Sequence, residues 1–204
     1  MLTLIIIGVI SLVSVMAFSN RTLFHRWLFS PYLISEKKQW FRFFTHLFLH
    51  AGYPHLIFNM LTLYFFGDVV EYVFARDFPG RGELMFVLFF FVSGFCASVP
   101  AYYKHRGNIY YSAVGASGAV SAILFASILF NPLAKIYIFF IPIGIPAFIF
   151  GILFLIFSAR MARQGTDNVA HDTHFWGSVF GFVFPLAFHH EYIFIFFQQI
   201  THAF

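Results

Sequence analysis

Charge is scarce in this chain. Only 10% of its 204 residues are Asp, Glu, Lys or Arg, against about a quarter in an ordinary soluble domain. No long polar block is present in which a separate soluble domain could fold, so one membrane-embedded domain over 1–204 is expected. Cysteine is nearly absent. The single Cys96, inside an apolar run, excludes an internal disulfide and a cysteine zinc cluster. No HExxH occurs, which removes the hallmark of a zinc protease. No basic run points to nucleic acid, and the net charge of +4 fits contact with anionic lipid headgroups.

Apolar residues make up 60% of the chain, and phenylalanine alone occurs 34 times. A spanning helix needs about 20 mostly apolar residues. Six segments approach this, at Leu2–Phe18, Pro54–Phe74, Leu84–Tyr102, Ser112–Phe130, Lys135–Phe157 and Asp172–Phe188. The first lacks the positive flank of a signal peptide and reads as a retained helix. Pro54 suits a helix start, and Asn131-Pro132 a helix stop. Between the first two segments, Arg21, Arg26, Lys37, Lys38 and Arg42 interleave with Phe24, Trp27, Tyr32 and Trp40. Such mixing suits the bilayer interface and predicts a loop lying on or dipping into it. Ile193–Phe204 is too short to span and is expected at the interface. The fold class is therefore an all-α integral membrane protein.

Ionisable and polar groups within membrane helices are costly and usually face a cavity or a partner. Three stretches break the apolar pattern. In THLFLHAGYPHLIFN, His55 and Asn59 stand four apart on one helix face, preceded by His46 and His50. His46 and His50 read as ties between the loop and its neighbouring helix. In GASG, Gly115, Gly118, Ala122 and Ala126 form a small-residue stripe, and Ser117 sits at the helix start. In HFWGSVFG, Gly177 and Gly181 form a GxxxG seam that could dock on that stripe. That docking would bring His174 and Ser117 to similar depth, a nucleophile beside its base. His171 is an alternative partner, three residues away.

Taken in order, these motifs resemble the rhomboid family of intramembrane serine proteases. Arg42, HLIFN, GASG and HFWGSVFG fall at matching places along a six-helix chain. The resemblance implies a bundle of six transmembrane helices with a membrane-embedded first loop. It implies Ser117 as nucleophile and His174 as base, with His55, Asn59 and the Ser117 backbone N–H as the oxyanion hole. Gly115, Gly118, Gly177, Gly181, His50, Arg42 and Glu71 would support them. It also implies substrates that are single-pass transmembrane proteins, no metal or organic cofactor, and residence in a bacterial inner membrane.

Two positions depart from the family pattern. Many rhomboids carry an aromatic residue four after the serine, packed on the histidine; here it is Ser121. Trp176 or one of the phenylalanines would have to orient His174 instead. The tryptophan–arginine pair of the first loop is split, as Trp40-Phe41-Arg42. Substrate is expected to enter between the second and fifth helices, and Pro142, Gly144, Pro146 and Gly151 would make the fifth bendable. Two competing readings are a client-binding relative without catalysis and a histidine-ligated metal or haem protein built on His46, His50, His171 and His174. Loop charge opposes the family's usual orientation. Arg21, Arg26, Lys37, Lys38, Arg42, Lys104, Arg106, Arg160 and Arg163 fall on one side, and only Arg76, Arg81 and Lys135 on the other.

Overall fold

With no water in the bilayer core to satisfy the backbone, a spanning chain must pair its own amides, and helices do this locally. The computed structural model describes residues 1–137, 143–164 and 169–203. It has ten α-helices in chain order among them. These are α1 (Leu2–Ser19), α2 (Arg21–Trp27), α3 (Pro31–Lys37), α4 (Arg42–Thr45), α5 (Tyr53–Asp77), α6 (Gly82–His105), α7 (Ser117–Phe130), α8 (Ala147–Gln164), α9 (His171–Val183) and α10 (Glu191–Thr201). A short antiparallel pair, β1 (Lys135–Ile136) and β2 (Ile145–Pro146), joins α7 to α8.

Among the described residues four helices, α1, α5, α6 and α8, are long and apolar enough to cross a membrane. A fifth span results if α9, its 3-10 extension to Ala187 and α10 count as one, although the chain bends by 112° there. The chain is thus an integral, multi-pass, all-α membrane protein. α7 is the exception by length: its 14 residues reach about 21 Å, short of the roughly 30 Å hydrocarbon core. It is also the most enclosed helix, with every side from Gly118 to Leu129 buried. α5, α6 and α9 pack around it.

Glycine lets α9 reach the backbone of α7. A Cβ on Gly177 would overlap the Gly118 carbonyl, and one on Gly181 would overlap the Ala122 carbonyl. Gly118 in turn has Ala97 of α6 and the Thr173 methyl each 2.8 Å from where its own Cβ would stand. The seam expected from the two small-residue stripes is therefore present, built backbone against backbone.

α1 is held by α5 at both ends. The Glu71 carboxylate accepts from the Leu2 N–H at 2.8 Å, the Thr3 N–H at 3.0 Å and the Thr3 hydroxyl at 2.8 Å, and pairs with the Met1 ammonium. This satisfies N–H groups that a helix start leaves open and places negative charge at its positive end. At the other end Phe18 packs edge-on against Tyr53. Beyond the bundle, the Tyr192 hydroxyl links Arg76 and Asp77, which pins α10 to the end of α5.

Two expected boundaries shift. The helix expected from Ser112 begins at Ser117, because Gly115 takes φ +129°, outside the helical region, and Ala113 is held in a β-bridge. Ala113 there exchanges both backbone hydrogen bonds with Phe29, at 2.9 and 3.0 Å. The helix expected from Lys135 begins at Ala147, since Pro146 has no N–H for a preceding turn and its neighbour Ile145 is extended in β2. Of the four expected bending residues only Gly151 lies within α8; Gly144 and Pro146 precede it, and Pro142 lies outside the described residues.

Candidate active site

The segment 20–52 is the platform of the site. Ser30 and Asn20 cap its short helices α3 and α2, and Lys38 closes α3 in the left-handed conformation. Arg42 is buried at its centre. The guanidinium donates to the Leu28 carbonyl at 2.6 Å, the His25 carbonyl at 3.2 Å and Gln39 Oε1 at 2.7 Å. Trp40 does not stand on Arg42; it stacks on Phe43 and tilts toward Tyr102.

His46 and His50 bind this platform to the helices. The His46 Nδ1–H donates to the Arg42 carbonyl at 2.8 Å, and Ser98 Oγ of α6 lies 3.3 Å from its other nitrogen. The His46 carbonyl accepts the Gly115 N–H at 3.1 Å. That bond, with the Phe29–Ala113 pair, fixes the strand that delivers Ser117. Ser14 of α1 donates its hydroxyl to the Phe48 carbonyl and so accepts from His50 Nδ1, both at 2.8 Å. Burial holds the His46 imidazole down to about 4 despite its bond to the Arg42 carbonyl. Burial, with repulsion from His55, holds that of His50 down to about 3. Both rings are therefore neutral.

At the start of α5, the Ala51 N–H donates to His55 Nδ1 at 3.4 Å. The ring proton is thereby on Nε2. That nitrogen faces the bend at Gly115, where a Cβ would lie 3.0 Å from Nε2 and 3.7 Å from Ser117 Oγ. Only glycine fits there, on conformation and on space. Asn59, one turn on and buried, donates one amide hydrogen to the His55 carbonyl at 2.9 Å and keeps a second N–H to give. Ser117 is the first residue of α7, where backbone N–H groups have no partner within the helix.

His174 lies in the first turns of α9. The glycine seam sets its height, because Gly118 lies against Thr173 and Gly177 lies against Gly118. Ser117, His174, His55 and Asn59 all line one cavity of about 690 Å³. Phe58 and Thr62 of α5 and Phe150 and Phe154 of α8 form its flanks. His171 is buried outside this lining, edge-on to Phe157 and to the His174 ring. Trp176 is largely exposed and packs on Phe175 instead of on His174. The ring that stacks on His174 is Phe154, with centroids 6.3 Å apart and planes at 27°. Nothing in the sequence singled it out, because α8 offers phenylalanines at 148, 150, 154 and 157 without contrast.

An imidazole, a hydroxyl at a helix start and three N–H donors around one cavity can together perform acyl transfer. Residues 37–191 match the Rhomboid domain family. The chain is similar to RHOMBOID-like protein 12, mitochondrial, of Arabidopsis thaliana, at 28% identity over 66% of this chain and 42% of that protein. It is similar to RHOMBOID-like protein 4 of the same plant at 34% identity over 71% of this chain and 34% of that protein. It is also similar to Rhomboid protease GluP of Bacillus subtilis at 28% identity over 71% and 25%. The chain spans less than half the length of each of these relatives. With the match running from the platform through the last bundle helix, the chain belongs to the rhomboid family.

Proposed function

We propose that this protein is an intramembrane serine protease that cleaves single-pass membrane proteins with Ser117 and His174. The observation that carries this reading is the shared cavity: Ser117, His174, His55 and Asn59 come from α7, α9 and α5 and line one space. In the proposed reaction Ser117 Oγ attacks the scissile carbonyl while His174 takes its proton. The acyl-enzyme forms and the leaving amine receives that proton; water then repeats the sequence with His174 again as base. The negative oxygen of each tetrahedral intermediate is met by the His55 Nε2–H, the second Asn59 N–H and the Ser117 N–H. Asp172 is not assigned to the histidine; it is engaged with the Thr173 N–H at 2.8 Å.

The flanks supplied by α5 and α8 support lateral admission of a substrate segment from lipid. The membrane we assign is a bacterial inner membrane, with the site opening away from the cytoplasm. The test is cleavage of a single-pass model substrate in liposomes. Ser117→Ala and His174→Ala abolish it. Asn59→Ala lowers the rate by less than the ~3–4 kcal/mol that one oxyanion donor can be worth, because two donors remain. Cleavage by Ser117→Ala at the wild-type rate would overturn the mechanism.

A further inference from the structure

The dyad reading leaves open what keeps the base in register, and we infer that Phe154 is the positioning residue that holds the His174 ring for reaction with Ser117. The inference rests on that reading and adds a residue from a different helix.

Three observations carry it. The Phe154 ring stacks on His174, offset, at 6.3 Å and 27°, within the range where aromatic pairs attract beyond their buried area. Phe154 also lines the cavity with Ser117 and Ser121. Ser121, one turn along α7 from the nucleophile, is small and buried. At that position the nucleophile's own helix thus has no flat surface to offer the imidazole, and α8 provides one. Phe154 is itself braced, stacked on Phe150 at 6.0 Å and tilted against Phe125 of α7 at 5.9 Å. Phe125 continues along α7 from Ser117, so the brace refers the base back to the nucleophile's helix.

Orientation is what a serine–histidine pair most needs, since a displacement of about 1 Å can cost about 100-fold. A ring limits the imidazole to rotation in its own plane. A leucine fills similar space without that restriction.

The experiment measures kcat and KM for a single-pass substrate in liposomes, with melting temperature alongside. Phe154→Leu lowers kcat by about 10–100-fold, leaves KM within about twofold and leaves the melting temperature near wild type. Phe154→Tyr retains activity. Phe154→Leu combined with Ser121→Phe, which offers a ring from α7 instead, regains kcat. Leu153→Ala, on the exposed face of α8, changes nothing. Wild-type kcat in Phe154→Leu, with Ser117→Ala inactive, overturns this inference alone. A loss that neither Phe154→Tyr nor Ser121→Phe avoids also overturns it. Wild-type turnover in Ser117→Ala would instead remove the dyad reading beneath it.

Discussion

At the scale of single residues, the site depends on imidazoles held in defined proton states. His55 is fixed by the Ala51 N–H as an Nε2–H donor, and His50 by Ser14 as an Nδ1–H donor. For His46 and His50 this has a measurable consequence. Their folded values, about 4 and about 3, lie below the ordinary 6.5. Between those limits the unfolded chain binds more protons than the folded one, so stability rises with pH. The stabilisation is complete above pH 6.5 and is lost as pH falls through 4 toward 3. Thermal unfolding of the Ser117→Ala protein in a neutral detergent should show a melting temperature that drops over that window. His50→Asn, which keeps an N–H for Ser14 but takes up no proton, should flatten the drop; an unchanged slope in it would mean that His50 is not a contributor.

The residues of HLIFN and GASG were legible because polar groups stand out in an apolar chain. Phe154 was not, since one phenylalanine among 34 carries no contrast. The same limit hid the bond from the Gly115 N–H to the His46 carbonyl, which involves backbone atoms every residue has.

At the scale of elements, the α7–α9 seam decides whether the site assembles. Helices in lipid associate through close packing and not through water exclusion. Gly177 and Gly181 allow that approach, and a side chain on either meets backbone and not a flexible tip. Gly181→Ala should therefore destabilise the bundle by about 3 kcal/mol, the upper end for an overpacked core. The measurement is the midpoint of unfolding by a denaturing detergent, and an unshifted midpoint would mean that the helices can part at no cost. This pairing was readable from spacing alone, because GxxxG and a small-residue stripe are complementary patterns. The start of α8 was not. An apolar run from Lys135 looks continuous by composition, yet the backbone at Ile145 and Pro146 is extended and paired with β1 before the helix.

At the scale of the whole molecule, α5, α7 and α9 start on the side of the cavity, and α1, α6 and α8 end there. Most loop cations lie on that side as well, which by the positive-inside rule would place it in the cytoplasm. The platform weakens that argument. Arg42 is consumed by the carbonyls of His25 and Leu28, and Arg21, Arg26 and Lys37 stand on α2 and α3, which pack against α1 and α6. We expect a reporter fused after Phe204 to read cytoplasmic, leaving the site on the opposite face. A reporter active outside the cytoplasm would show that loop charge sets the orientation.

The enclosure of α7 also has a consequence for bilayer thickness. Membranes of different thickness act on a protein through the apolar surface it shows to lipid. α7 shows almost none, since its side chains from Gly118 to Leu129 are buried. A thicker or thinner bilayer can tilt the outer helices, but it has no direct hold on the helix that carries Ser117. The depth of the serine is therefore referenced to its neighbouring helices and not to the membrane around them.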